Sequence, residues 1–190
     1  MFNLIIQSAL IIPWRWYRFH AAPETFVDCS VATVETDIFA LGMTMFRMVN
    51  NISNWSLFLQ NITNFESLII TGKLIGKIQQ EPYVPLKIQR IIRKACNPLP
   101  EKRYHSAAEM RHSLERIHFL YNWSMIDNYH WTGTSTGLTK KDIYLEMKSK
   151  SVNVVVKNNG RCSSTDSRNF GNLEEAMAYL FEYIKATTIQ

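Results

Sequence analysis

The stretch that most limits how this chain can fold is Glu35–Asn50, "ETDIFALGMTMFRMVN". Thr36 can cap a helix start, and Asp37 puts a negative charge in its first turn. Ile38, Leu41, Met45 and Met48 recur at helical spacing, and Phe39, Ala40, Met43, Phe46 and Val49 make the other faces apolar too. A helix apolar nearly all round belongs in the middle of a domain. Gly42 inside it lowers helix propensity, which predicts a close neighbour.

Two other stretches frame this helix. Ala22-Pro23-Glu24 precedes it, and "NPLPEKRYHSAAEM", containing Arg103, follows it. Ala-Pro-Glu, then an Asp opening a "D-[apolar]-[aromatic]-x-L-G" helix, then an Arg in "P-x-x-R-Y-x-S-A-x-E-M" resembles the C-terminal lobe of eukaryotic-type Ser/Thr protein kinases. The resemblance covers roughly residues 14–120 and does not reach the last third of the chain.

It implies a buried ion pair between Glu24 and Arg103, for which a planar guanidinium suits a carboxylate. It implies that Asp37 accepts backbone hydrogen bonds from a catalytic loop and, with Gly42, anchors the buried helix. It also makes Trp14–His20, with Trp16, Tyr17, Phe19 and His20, the remnant of a peptide-substrate loop in which the usual Gly-Thr is replaced. Residues 1–13 are apolar and read as a strand or a buried segment in place of the activation segment. That points to translation starting inside a kinase-like gene, or to a diverged front.

Phosphoryl transfer needs parts that hold ATP, metal ions and a base. The chain has no G-x-G-x-x-G loop, no V-A-x-K strand, no His-Arg-Asp loop and no Asp-Phe-Gly. No catalytic, cofactor-binding or metal-binding residue is therefore expected, and ATP and magnesium are expected only if a missing N-lobe is supplied. His20, His105, His112, His118 and His130 form no H-E-x-x-H pattern, and no serine lies in G-x-S-x-G.

Asn50–Gln80 is polar, then apolar, and "FESLIITGKLIGKIQQ" reads as a helix broken near Gly72. Pro85 opens a helix with an Ile88, Ile91, Ile92, Ala95 stripe and a wet side of Lys87, Arg90, Arg93 and Lys94. Ser106 and Glu109 form a capping box for a helix carrying Met110, Leu114, Ile117 and Tyr121 on one side.

From Asn122 the pattern changes. Trp123, Met125, Asp127, Tyr129 and Trp131 alternate as one strand, and Ile143, Leu145 and Met147 as a second. Val152–Lys157 is a third, Asn159-Gly160 a hairpin turn, and Arg161–Thr165 the return strand. Asn172 caps a last helix with Glu175 reaching back, and Leu173, Ala176, Met177, Leu180, Phe181 and Ile184 form its stripe. The expected fold is α+β, with a kinase-like C-lobe over residues 1–121 and a small antiparallel sheet with one packed helix over 122–190.

Composition narrows the setting. Hydrophobic residues are 46% and charged residues 19%, enough to build a core and against wholesale disorder. Cys29, Cys96 and Cys162 are odd in number and scattered, which favours a reducing compartment over a disulfide framework or zinc site. The N-terminal apolar run is too short to span a membrane and has no basic flank, so a cytoplasmic location is expected. Without a secretion signal, the sequons at Asn51, Asn54, Asn61 and Asn122 are not expected to carry glycans.

The first functional expectation is a protein kinase-like pseudokinase fragment. It would act as a non-catalytic interaction module or as part of a split kinase, with a protein partner or a second copy on the surface an N-lobe would cover. The alternative is a nucleic-acid-binding protein. It would use the basic C-terminal sheet-plus-helix domain, with Lys140, Lys141, Lys148, Lys150, Lys157, Arg161 and Arg168 as its cations and the net charge of +5 in its favour.

Overall fold

The computed structural model describes residues 20–26, 33–60, 62–78 and 80–190. Residues 1–19, with the expected N-terminal strand and Trp16, Tyr17 and Phe19, lie outside the described residues. The fold is α+β, and the chain divides into two compact units, residues 1–79 with 89–113 and residues 80–88 with 114–190. The boundary expected at 121/122 is thus displaced. The second unit starts at Leu114 and takes in a nine-residue segment from far upstream.

The helical unit centres on α1 (Val34–Val49). Its N-cap is Thr33, not Thr36: Thr36 sits in the first turn, and its Oγ1 accepts from the Thr33 N–H at 2.9 Å. The buried stripe is Ile38, Phe39, Gly42, Met43 and Phe46. The expectation of a helix buried all round is corrected, since Val34, Leu41 and Met48 are exposed, Met48 at 72%. Ile38, Gly42 and Phe46 fall four residues apart, as do Phe39 and Met43 beside them, so the burial follows two adjacent rows on one side of the helix.

Around α1 lie short helices: α2 (Trp55–Gln60), α3 (Phe65–Ile70) and α4 (Leu74–Lys77). Gly72 separates α3 from α4 with φ of +67°, the left-handed geometry that ends a helix. A 3-10 turn, Pro23–Phe26, packs on α3. α5 (Leu86–Ala95) buries Ile88, Ile91, Ile92 and Ala95. α6 (Ala107–Glu115) buries Met110 and stops well before Tyr121, so Ile117 is buried from a non-helical segment. Ser106 Oγ accepts from the Glu109 N–H, but the Glu109 carboxylate accepts from the His105 N–H, one residue before the expected one.

The second unit is a six-stranded antiparallel sheet ordered β1-β2-β3-β4-β5, with β6 also on β4. The stretch expected as one strand is a hairpin, β1 (Asn122–Asp127) and β2 (His130–Thr134). Asp127 Oδ1 accepts from the Tyr129 N–H at 2.8 Å and turns the chain without glycine. β3 (Lys140–Met147) and β4 (Val152–Asn158) follow. Asn159 and Gly160 both have positive φ. The return strand is split into β5 (Arg161–Cys162) and β6 (Arg168–Phe170) by a loop whose Ser163 and Ser167 bond to Val156.

α7 (Leu173–Thr188) lies on one face of this sheet, its first turn held by Asn172 Oδ1 accepting from the Glu175 N–H. Trp131, Ile143, Val152, Val154 and Val156 meet Ala176, Leu180 and Ile184 in the core. Tyr83, from the upstream segment, packs its ring 4.9 Å from Trp131 and 5.8 Å from Phe181. Burial, and then the nearby Glu81, push its phenol up to about 12.

Candidate functional site

Among the described residues of the helical unit, a dense polar arrangement is built on Arg103, which follows the 3-10 turn Pro100–Lys102. Its side chain is 0% exposed. Nη1 and Nη2 each donate to one carboxylate oxygen of Glu24 at 2.7 Å, across 79 residues of chain. Nε donates to the Asn97 carbonyl at 2.7 Å, Nη1 also to the Glu35 carbonyl at 2.9 Å, and Nη2 to the Pro98 carbonyl at 3.2 Å. The guanidinium has five N–H donors, and all five are used. Phe39 lies beneath it, ring centroid 5.0 Å from Cζ.

Local sequence explains each partner. Pro23 starts the 3-10 turn that presents Glu24, and Thr25 tightens that turn by donating to the Ala22 carbonyl at 2.6 Å. The Glu35 carbonyl belongs to the first turn of α1. The Asn97 and Pro98 carbonyls lie just past the end of α5, outside its hydrogen-bonded ladder. One guanidinium therefore joins the Pro23–Phe26 turn, the start of α1 and the exit of α5. Glu24 keeps its carboxyl below the usual range. Burial alone would raise it, but the hydrogen bonds from Arg103, the local backbone and the Arg103 charge outweigh that.

The site is a clamp and not a binding pocket, because no donor is left for a phosphate or carboxylate ligand. Gly42 adds to its stiffness. A Cβ there would lie 2.6 Å from Cys96 Sγ and 2.7 Å from Ala95 Cβ, so the close neighbour of α1 is the end of α5. The Cys96 thiol is fully enclosed, and burial pushes its pKa far up, which makes it inert. Beside the clamp, Lys94 Nζ bonds Glu109 at 2.7 Å and stands 4.1 Å over the Tyr104 ring.

Asp37 is exposed on the first turn of α1. The His20 ring lies 5.9 Å from that of Trp55, tilted against it, and lines an open cleft with Thr44, Arg47 and Met48. Burial, followed by the Arg47 charge, lowers its pKa. Reading the sequence missed the three carbonyl acceptors around Arg103, since carbonyls carry no side-chain signature. The proline at 98 and the helix end before it are the only local hints.

The C-terminal cations do not gather. Lys141 Nζ donates to the Tyr183 hydroxyl at 2.7 Å, Lys140 is 3.6 Å from Asp142, Lys185 pairs with Glu182, and Arg168 lies over Tyr179. Residues 122–190 hold eight Lys and Arg against seven Asp and Glu, a net of +1, so most of the +5 belongs to the first 121 residues. Among the described residues no three His, Cys, Asp or Glu side chains are placed to hold a metal ion, and no helix is long and apolar enough to cross a membrane.

No protein-family model matches the chain, and no curated protein matches it.

Proposed function

We propose that the helical unit is a lobe of the Ser/Thr protein-kinase C-terminal type, working as a non-catalytic interaction module or as one part of a split kinase. The observation that carries this reading is the forked Glu24–Arg103 pair, which closes 79 residues of chain around α1. The order of Ala22-Pro23-Glu24, the α1 helix and Arg103 supports it. So does Gly42, which lets α1 approach α5.

The ATP-gripping and metal-gripping sequences of a kinase are absent from these 190 residues. We infer that ATP and magnesium are engaged only when a missing N-lobe is supplied. Partner binding is favoured by the outward side of α1, where Val34, Leu41 and Met48 stand exposed on one stripe. That partner is a protein or a second copy of this chain. We place the protein in the cytoplasm, because Cys96 and Cys162 are free thiols.

The test is a calorimetric titration of the purified chain with Mg-ATP, with a phosphotransfer assay beside it. No saturable binding and no transfer is the expected result. Stoichiometric nucleotide binding overturns the non-catalytic assignment. The nucleic-acid alternative ranks below, since the sheet-plus-helix unit has a near-neutral balance and spends several cations internally. Duplex DNA that binds at low salt, and loses affinity as salt rises, would restore it.

A further inference from the structure

The face of the sheet opposite α7 carries a site of different chemistry. Trp131, Ile143 and Val156 are paired across β2, β3 and β4 and point into the core. The adjacent row, His130, Tyr144 and Val155, therefore points the other way. Where this row meets the β1–β2 turn there is a cleft of about 580 Å³, lined by Asp127, Asn128, Tyr129, His130, Tyr144 and Leu145. That size is within the range of small-ligand sites.

The lining is two phenol rings, a carboxylate, an amide, an imidazole and a leucine, with no lysine or arginine. Asp127 is held in place, because Oδ1 accepts from the Tyr129 N–H at 2.8 Å. Its Oδ2 makes no hydrogen bond among the described residues. Asp142, nearby on β3, is committed elsewhere, 3.6 Å from Lys140 Nζ and 3.7 Å from His130 Nε2. The Tyr144 ring already attracts a cation of the chain itself: Lys157 Nζ is 5.1 Å from its centroid. The imidazole of His130 meets the same ring edge-on at 5.6 Å.

Aromatic faces beside a carboxylate form an electrostatic and apolar match for a cation on a hydrocarbon stem. We propose that this cleft binds an alkylammonium or alkylguanidinium group, held by the Asp127 carboxylate and the Tyr129 and Tyr144 rings. The group is either a free amine or a lysine or arginine side chain on a partner polypeptide. The site belongs to the second unit and stands independently of the kinase-like reading.

The experiment is a chemical-shift titration of the full chain with butylammonium, butylguanidinium, neutral 1-butanol and an end-blocked tripeptide with a central lysine. Saturable shifts at Tyr129, His130 and Tyr144 with the cations, and much weaker ones with butanol, are expected. Asp127→Asn keeps the Oδ1 acceptor of the turn and removes the charge. It and Tyr144→Leu are each expected to weaken butylammonium binding by roughly three- to thirtyfold, the range of such contacts, with the α7 resonances unmoved. Tripeptide binding as tight as that of butylammonium assigns the cation to a polypeptide partner, and weaker binding assigns it to a free amine. Equal response to butanol, absence of saturation, or an unchanged affinity in Asp127→Asn overturns the proposal.

Discussion

Substitution of Glu24 by Gln removes one charge from the clamp and little else. Arg103 is left at 0% side-chain exposure with its counter-charge gone, while its bonds to the Asn97, Pro98 and Glu35 carbonyls persist. Stripping one partner from a buried ion pair costs about 3–5 kcal/mol. Glu24 is itself 19% exposed, so water compensates in part and about 2–4 kcal/mol is expected for Glu24→Gln. Arg103→Lys should cost at least as much, since three donors on one nitrogen cannot replace a five-donor fork. Because the chain has two units, the readout should be local: amide exchange of peptides from α1 and from Asn97–Arg103, with β3 and β4 as the internal reference. A 2–4 kcal/mol loss accelerates exchange in α1 by roughly 30- to 1,000-fold, and the sheet peptides should not change. The sign with pH is fixed by the lowered Glu24 pKa. The stabilisation is complete above the ordinary carboxylate value of 4.5 and is lost as pH falls through the lower folded value. Glu24→Gln should remove that acid-side dependence. An α1 exchange rate within about threefold of the parent, or an equal loss in the sheet, would refute the clamp as the element that holds the unit together.

Three further outcomes can be checked by thermal or urea unfolding. Gly42→Ala should destabilise by about 1–3 kcal/mol despite its better helix propensity, because the added methyl meets Cys96 and Ala95; pairing it with Cys96→Ala should recover part of the loss. Tyr83→Ala should destabilise the sheet unit by about 2–4 kcal/mol and shift Trp131 fluorescence, the ring being only half buried against Trp131 and Phe181. Asn172→Ala should cost about 1 kcal/mol and fray the first turn of α7, read by exchange at Leu173–Ala176.

The parts of the fold readable from residues alone are those fixed by local chemistry. Asn159-Gly160 turns because both residues accept positive φ, and Asn172 with Glu175 caps because the bond is three residues long. The α5 stripe is readable for the same reason, its period being strict. Features decided by distant partners were not readable. In α1 nearly every face is apolar, so spacing cannot choose among Ile38, Leu41 and Phe46, and the elements packed on it from elsewhere in the chain, such as Trp55 on Phe46 and Ala95 and Cys96 beside Gly42, bury one side and leave Leu41 exposed. The β1–β2 turn carries no glycine or proline and hides inside an alternating run. β6 escapes because its three residues pair with β4 only after an intervening loop. At the candidate sites, ordered motifs single out Glu24 and Arg103. The carbonyls that complete the clamp, and the Tyr129–Tyr144 cleft, exist only once strands and helix ends are in place.

The loan of Gln80–Ile88 to the sheet unit also affects synthesis. Tyr83 leaves the ribosome roughly a hundred residues ahead of Phe181, one of the two rings it packs against. At translation speeds of about 5–20 residues per second, that ring waits on the order of 5–20 s for its pocket. No single peptide bond separates the two units, so a nascent chain has to shield an unsatisfied aromatic until its last helix emerges.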